Sequence, residues 1–223
     1  EHTPSQSAVS LVFDDGEASV YSEALPYLNT NNLIASTAII GDEVGNEGKM
    51  SRSQIRRLQD TYLWEIMSHT ISHEDLTLIP TKKLLNRQLL TALKRFTKWG
   101  FNTPNFATPF GAYNGQILGE AQRWYKSVRN YEQGDNPQGA FPYNIKVRGV
   151  LDTTTPQDVA DWIAEAEAKN SWIVITFHEI KDTGDDAFHT TPETFKLMID
   201  EVVKSGINVV TYDKGIDLFT TKI

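Results

Sequence analysis

Leu11-Val12-Phe13-Asp14-Asp15-Gly16 decides the fold prediction, because an apolar run ends there in two adjacent carboxylates. A short apolar run closed by a turn signal is typical of a buried strand, and Asp-Gly is a common turn signal. Two charges at the end of a buried strand cost desolvation and repel each other. A bound cation would offset both effects. We therefore predict chemistry at this strand end, with a plain turn as the alternative.

Apolar runs and helical patterns alternate along the rest of the chain. Strands are predicted at 9–14, 34–40, 63–67, 105–108, 127–130, 145–150, 172–177 and 208–212, and helices at 19–30, 51–60, 81–99, 115–125, 155–169 and 192–205. Such alternation predicts an α/β fold with a parallel sheet, either a barrel or a doubly wound sheet. Polar residues cluster just after the strands, and in a barrel those strand ends share one face. This convergence favours the barrel.

Composition sets further bounds. The chain has 223 residues, of which 39% are hydrophobic and 22% charged, as in an ordinary globular protein, and we predict a single domain over 1–223 with residues 1–7 as an N-terminal tail. The net charge of −8 argues against nucleic acid as the main partner. The chain has no cysteine, so any metal ligands must be His, Asp or Glu. No apolar run predicts a membrane span, no signal peptide is visible, and the oligomeric state is not predicted.

A second polar cluster, His69-Thr70-Ile71-Ser72-His73, follows the predicted strand at 63–67. Two histidines at this spacing are expected on one face of a helical turn. With one carboxylate they make a His2Asp set, a common frame for a hydrolytic metal. The alternative is a pair of surface histidines at a helix start. The neighbouring Asp pair favours the metal site.

Two further segments are candidates for the site. His178 closes the apolar run 172–177 and suits a general acid, although a lone histidine at a strand end is more often structural. Pro109, Phe110 and Tyr113 lie in a loop that could offer a backbone N–H and a surface on which a sugar stacks. The alternative is a simple loop between a strand and a helix.

Taken together, these motifs resemble the polysaccharide deacetylases of carbohydrate esterase family 4, the NodB-homology domain. The resemblance rests on Val12-Phe13-Asp14-Asp15-Gly16, on His69-Thr70-Ile71-Ser72-His73, and on Pro109-Phe110-Gly111 and His178 following in order, over about residues 8 to 212. It implies a distorted (β/α) barrel of seven to eight strands. It also implies a metal at Asp15, His69 and His73, usually Zn²⁺, while the ligand set also accepts Co²⁺, Mn²⁺ or Ni²⁺. By the same resemblance, the catalytic base is Asp14, the acid is His178, and the oxyanion donor is the backbone N–H of Phe110.

The chain departs from the family pattern at three motifs. The third motif is Arg-x-Pro-Tyr, and here Ala107 stands at the Arg position and Phe110 at the Tyr position. Asp14 therefore lacks its usual orienting arginine, for which Arg148 is a candidate substitute. The fourth motif pairs an Asp with a Trp, and only Asp152 is a candidate, as the partner of His178. In the fifth motif, Leu-x-His, Thr176 replaces the Leu.

The expected function is metal-dependent hydrolysis of N-acetyl groups on an N-acetylglucosamine-containing polysaccharide or oligosaccharide, with Pro109, Phe110 and Tyr113 as substrate contacts. Three alternatives stay open: an O-acetyl esterase acting on acetylated xylan, an amidase acting on a small non-sugar molecule, and a non-catalytic carbohydrate-binding relic. Secretion or a place in the cell envelope is expected from the substrate class alone.

Overall fold

A computed structural model describes residues 7–184 and 186–221 of the chain. Most of the predicted tail, residues 1–6, lies outside this part, while Ser7 is already buried. No described helix is long and apolar enough to cross a membrane.

Seven parallel strands close into a barrel. They are β1 (Ala8–Phe13), β2 (Ser36–Ile39), β3 (Glu65–Ser68), β4 (Asn105–Ala107), β5 (Ser127–Gln133), β6 (Ile145–Gly149) and β7 (Trp172–Phe177). Each strand pairs with the next, and β7 returns to β1 from Ala8↔Trp172 to Phe13↔Phe177. The predicted α/β barrel is therefore confirmed.

Three more strands lie outside this ring. Strand β10 (Asn208–Val209) pairs with the first two residues of β1, on the side where β2 pairs with its last two. Strands β8 (Glu179–Ile180) and β9 (His189–Thr190) form a small separate sheet just after β7. They bracket a loop that reaches the carboxyl end of the barrel.

Helices cover the outside of the barrel. They are α1 (Leu25–Thr30), α2 (Arg52–Asp60), α3 (Lys82–Lys98), α4 (Gly115–Ala121), α5 (Pro156–Lys169), α6 (Pro192–Ser205) and α7 (Tyr212–Phe219). Capping boxes begin α2, at Ser51 with Gln54, and α5, at Thr155 with Asp158. The predicted helix at 19–30 is divided, because a π-helical turn at Val20–Ala24 precedes α1.

The two faces of each strand face different surroundings, as period-2 alternation requires. Val12, Ala107, Val147 and Val174 belong to a core cluster inside the barrel. Leu11, Phe13, Ile173 and Ile175 belong to the cluster that packs under the helices. The same alternation decides which polar residues of a strand can reach the barrel interior.

Helix α7 closes the amino end of the barrel and was not predicted from the sequence. The expected strand at 208–212 ends at Val209, and Tyr212 begins the helix, with Thr211 as its N-cap. Tyr212 and Phe219 pack against Trp172 at ring-centroid distances of 5.2 and 6.2 Å. Gly215 lies so close to the Trp172 indole that a Cβ there would overlap it. The candidate functional residues follow the carboxyl ends of the strands, at the opposite, open end of the barrel.

Candidate active site

Asp14 and Asp15 end β1 in different surroundings. The Asp14 N–H donates to the Phe177 carbonyl at 2.9 Å, which continues the pairing with β7, and its side chain is buried. The chain then turns through Asp15 (φ 67°) and Gly16 (φ 72°), both left-handed. Because the backbone turns between them, the two adjacent carboxylates point to different partners.

His69 and His73 do not lie on a helical turn, and this expectation was wrong. Residues 69–73 form an irregular loop after β3, in which Thr70 (φ 67°) and His73 (φ 55°) are left-handed. An α-helix cannot pass through such residues, since its φ angles are negative. The His73 N–H donates to the Thr70 hydroxyl at 2.9 Å, and this turn brings the second imidazole back beside the first.

Asp15, His69 and His73 form a cluster suited to a metal ion. The Nε2 atoms of His69 and His73 lie 3.3 and 3.4 Å from Oδ1 of Asp15, and the three possible ligand atoms all lie within 4.8 Å of one another. Nδ1 of His69 lies 2.9 Å from the Ala107 carbonyl. As a donor to that carbonyl, Nδ1 carries the ring proton and leaves Nε2 free to coordinate. Oδ1 of Asp15 is buried without a hydrogen-bond partner in the described structure, as expected of a ligand atom.

The charges in this cluster favour an ionised Asp15. Burial raises the pKa of Asp15, but the neighbouring imidazoles of His69, His178 and His73 outweigh burial and bring the pKa below its usual range. Burial and the charge of His69 lower the pKa of His73. For His69 itself, the adjacent carboxylates outweigh burial and raise the pKa.

Arg129 is the partner of Asp14. One terminal guanidinium nitrogen lies 2.7 Å from both carboxylate oxygens, and the two side chains are 1% and 3% exposed. Sequence reasoning missed Arg129. The available signal was a charged residue inside a predicted buried strand, which needs an opposite charge nearby.

His178 faces Asp14 from the end of β7. Its Nε2 lies 3.8 Å from Oδ2 of Asp14, and burial lowers its pKa. Its Nδ1 is buried and has no hydrogen-bond partner among the described residues. Asp152, the expected partner, is exposed, and its backbone N–H donates to the Ala187 carbonyl. Asp152 therefore does not orient His178, and that expectation was wrong.

A cavity of about 220 Å³ joins these groups. Asp14, Asp15, His69, His73 and His178 line it, together with Phe110 of the Pro109–Gly111 loop. Tyr131 of β5, and Asp186 and Phe188 of the loop after β8, complete its wall and were not predicted. Both aspartates and His178 thus share one cavity.

A family model for polysaccharide deacetylases matches residues 1–126, more than half of the chain. The chain belongs to the polysaccharide deacetylase family. The matched region includes both aspartates, the histidine pair and Phe110. It ends before Arg129 and His178, which join the site through the closure of the barrel.

Curated relatives of this chain are distant. The Bacillus subtilis protein YxkH is 27% identical over 121 residues, which are 54% of this chain and 43% of that protein. A poly-beta-1,6-N-acetyl-D-glucosamine N-deacetylase of Staphylococcus aureus is 28% identical over 124 residues, which are 50% of this chain and 43% of that protein. The matched region is thus under half the length of both relatives.

Solved structures share the fold over nearly the whole chain. T48 deacetylase, solved with substrate, has a TM-score of 0.69 and 20% identity, and the match covers 96% of this chain and 93% of that one. A family 4 acetyl xylan esterase from Clostridium thermocellum, in complex with a cobalt ion, has a TM-score of 0.66 and 17% identity, with 95% and 91% covered. At these identities, the likeness concerns the fold.

The arginine that the third motif lacks is supplied by the neighbouring strand. Ala107, at the motif's arginine position on β4, is the direct cross-strand partner of Arg129 on β5. Ala107 belongs to the interior cluster, and the Arg129 guanidinium meets Asp14 on the same side of the sheet. In this family member the guanidinium therefore reaches Asp14 from one strand further along the barrel.

Arg148 does not replace the motif arginine, and the structure corrects that expectation. Val147, its neighbour on β6, is part of the interior cluster, so Arg148 must point to the helix-facing side. There it pairs with Asp135 at 2.6 Å and with Glu165 of α5 at 2.5 Å. It is separated from Asp14 by the strand itself.

The three predicted substrate contacts in the loop after β4 differ in whether they reach the cavity. The Phe110 side chain is 68% exposed, and its ring lies 4.7 Å from that of His73, at the mouth of the cavity. Phe110 is left-handed (φ 56°). Pro109 is buried and Tyr113 donates its hydroxyl to Glu132 at 2.6 Å; neither is among the residues that line the cavity. Of the three, only Phe110 is placed to meet a ligand there.

Proposed function

We propose that this polysaccharide deacetylase hydrolyses N-acetyl groups of an N-acetylglucosamine-containing polysaccharide or oligosaccharide, with a divalent cation at Asp15, His69 and His73. The observation that carries the proposal is the buried Asp14–Arg129 pair directly beside the three possible ligands. It holds a second carboxylate in the cavity, separate from the carboxylate that would bind the cation. The relation to the N-deacetylase of Staphylococcus aureus supports an N-acetylated glycan as the substrate class.

The donor set fits a hydrolytic metal ion. Two imidazoles and one carboxylate make a three-ligand frame with room for a further ligand, and Zn²⁺ is the expected ion. When bound, such a cation supplies Lewis acidity toward the acetyl carbonyl and makes water a better nucleophile near neutral pH.

Asp14 acts as the general base. A water molecule in the cavity attacks the acetyl carbonyl carbon while Asp14 takes its proton, so a C–O bond forms and the carbonyl π electrons move to the oxygen. Arg129 holds the carboxylate in place through contacts of 2.7 Å to both of its oxygens. The backbone N–H of Phe110, at the rim of the cavity, stabilises the developing oxyanion.

His178 acts as the general acid. Collapse of the tetrahedral intermediate breaks the C–N bond, and the departing amine nitrogen takes a proton from His178. Burial lowers the pKa of His178, so the free imidazole is neutral at ordinary pH while its protonated form is a stronger acid. His178 is protonated by the proton that Asp14 takes from water, since Nε2 of His178 and Oδ2 of Asp14 lie 3.8 Å apart. Acetate and a glucosamine unit are the products.

Release of acetate tests the function directly. Purified protein with added Zn²⁺ should release acetate from N-acetylglucosamine oligomers, and a chelator should abolish the release. Acetylated xylan is assayed in parallel; acetate from xylan alone would replace this proposal with an O-acetyl esterase. Binding of the oligomers without release of acetate from any substrate would instead favour a carbohydrate-binding relic.

Two variants test the roles of the aspartates. Asp14→Asn should reduce turnover at least about a hundred-fold, as expected for loss of a general base, while the Zn²⁺ affinity stays near that of the wild type. Asp15→Asn should lose Zn²⁺ binding as well as activity. The reverse pattern would show that the two roles are exchanged. Activity in a cell envelope or culture medium follows only from the proposed substrate class and is part of the same proposal.

A further inference from the structure

Two glycines leave the room that Tyr131 occupies in the wall of the cavity. Tyr131 lies on β5, two residues after Arg129, and its side chain packs against the core cluster inside the barrel. A Cβ at Gly111 would overlap the Cβ of Tyr131, and a Cβ at Gly149 would overlap its phenol oxygen. Gly111 in the loop after β4 thus makes room for the Tyr131 backbone and Cβ, and Gly149 at the end of β6 makes room for the phenol ring.

The hydroxyl of Tyr131 is buried and has no hydrogen-bond partner among the described residues. Other buried or half-buried tyrosines differ: Tyr125 donates to the Leu89 carbonyl at 2.9 Å, and Tyr143 to the Tyr125 carbonyl at 3.0 Å. A buried polar group without a partner is costly, and natural proteins rarely keep one without a reason. Since Tyr131 lines the cavity of the candidate active site, the missing partner is expected to come from outside the protein.

The surroundings of Tyr131 define what it can offer. Burial and the charge of Asp14 raise its pKa, so the phenol remains neutral and can donate a proton in a hydrogen bond. Its ring lies 5.8 Å from that of His178 and 6.0 Å from that of Phe188. The ring of Tyr131 therefore borders the part of the cavity beside His178, where the leaving nitrogen lies in the proposed mechanism.

We propose that Tyr131 is a substrate-binding residue whose hydroxyl donates a hydrogen bond to an oxygen of the N-acetylated sugar unit on the His178 side of the cavity. This inference rests on the proposed function. It assigns to the sugar a contact that fixes the orientation of the leaving nitrogen toward His178. The hydrogen bond forms on binding and involves no covalent step.

Tyr131→Phe tests the proposal, because it removes the hydroxyl and keeps the ring between its two glycines. We expect kcat/KM on N-acetylglucosamine oligomers to fall about ten- to a hundred-fold. In an Asp14→Asn background, whose turnover should be strongly reduced, the oligomer Kd measured by calorimetry should rise about ten-fold on adding Tyr131→Phe. The Zn²⁺ affinity should not change, and the melting temperature should stay the same or rise, since an unpaired buried hydroxyl is lost.

Tyr143→Phe is the matched control, since it removes a phenol hydroxyl that has a partner and lies outside the cavity. It should lower the melting temperature and leave kcat/KM unchanged. If the wild type is active and Tyr131→Phe matches it in kcat/KM and Kd, the inference is overturned while the proposed function stands. A large fall in the melting temperature with Tyr131→Phe would indicate a structural hydroxyl and also overturn it. An inactive wild type overturns the function and, with it, this inference.

Discussion

The buried pair of Asp14 and Arg129 should show strong energetic coupling. In Arg129→Met the carboxylate keeps its buried position and loses both contacts of 2.7 Å. Removing one partner of a buried ion pair destabilises a protein by about 3–5 kcal/mol, because the remaining charge is uncompensated. We expect a loss of that size in the free energy of unfolding, and a similar loss for Asp14→Asn, which leaves the guanidinium buried without its carboxylate.

A double-mutant cycle measures the coupling. The double variant Asp14→Asn/Arg129→Met carries no charge at either position, so it should be more stable than the sum of the single losses by about 2–3 kcal/mol. Urea unfolding of the metal-free protein gives the four free energies, without a contribution from cation binding. Arg148→Met is the control, since its more exposed pair with Asp135 should cost only about 1 kcal/mol.

Additive losses, within about 0.5 kcal/mol, would refute the coupling and with it the role given to Arg129. The strand register provides a second test. Because Ala107 and Arg129 are cross-strand partners, Ala107→Arg/Arg129→Ala returns a guanidinium to the same region from β4. The double variant should recover part of the activity that Arg129→Ala loses. No recovery of activity in a folded double variant would contradict the inference that Arg129 on β5 takes the place of an arginine at position 107 on β4.

Three further predictions concern the metal ligand, the barrel end and the cavity wall. Lys49 donates to the backbone carbonyl of Asp15 at 3.3 Å. Calorimetry should therefore show a Zn²⁺ affinity about ten-fold lower for Lys49→Met and partly restored for Lys49→Arg. An unchanged affinity would show that this contact does not support the metal site. Burial raises the pKa of Glu65 to about 7, above its value in the unfolded chain, so between about pH 5 and 7 the folded state binds more protons than the unfolded state. The free energy of unfolding of the wild type should therefore fall as the pH rises through this range. Glu65→Gln should flatten that fall in urea titrations at several pH values; an identical slope would contradict the raised pKa. Gly111→Ala should cost at least about 2 kcal/mol in the same assay, because φ is +65° and the new methyl would overlap Tyr131; a neutral result would disprove the tight fit.

Strands β1 and β7 could be predicted from the sequence because they are buried on both faces. The run 172–177 is apolar or β-branched throughout, 9–13 is so except at Ser10, and the structure has strands at Ala8–Phe13 and Trp172–Phe177. Helix α7 could not be predicted as easily. Tyr212, its first residue, extends the apolar stretch at 209–210, and the Thr211 cap is a weak signal beside that run.

Some residues of the candidate site could likewise be predicted from the sequence, and others could not. Asp14, Asp15, His69 and His73 could be grouped from their motifs, but the loop that joins the two imidazoles depends on left-handed residues that the sequence pattern does not reveal. Arg129 and Tyr131 could not be placed, because a pattern along one strand does not give its register with the next. Arg148 was chosen wrongly although the alternation with Val147 already indicated the outer face.

The exchange of Ala107 and Arg129 also bears on how such enzymes are recognised. A pattern that requires arginine two residues before the proline of Pro109-Phe110-Gly111 would reject this chain as inactive. Yet a positive charge stands beside the Asp14 carboxylate all the same. Selection acts on where a charge lies in space, and adjacent parallel strands offer two chain positions for nearly the same point. Surveys for degenerate family members should therefore examine the facing residue on the adjacent strand before a missing motif residue is taken as a sign of lost activity.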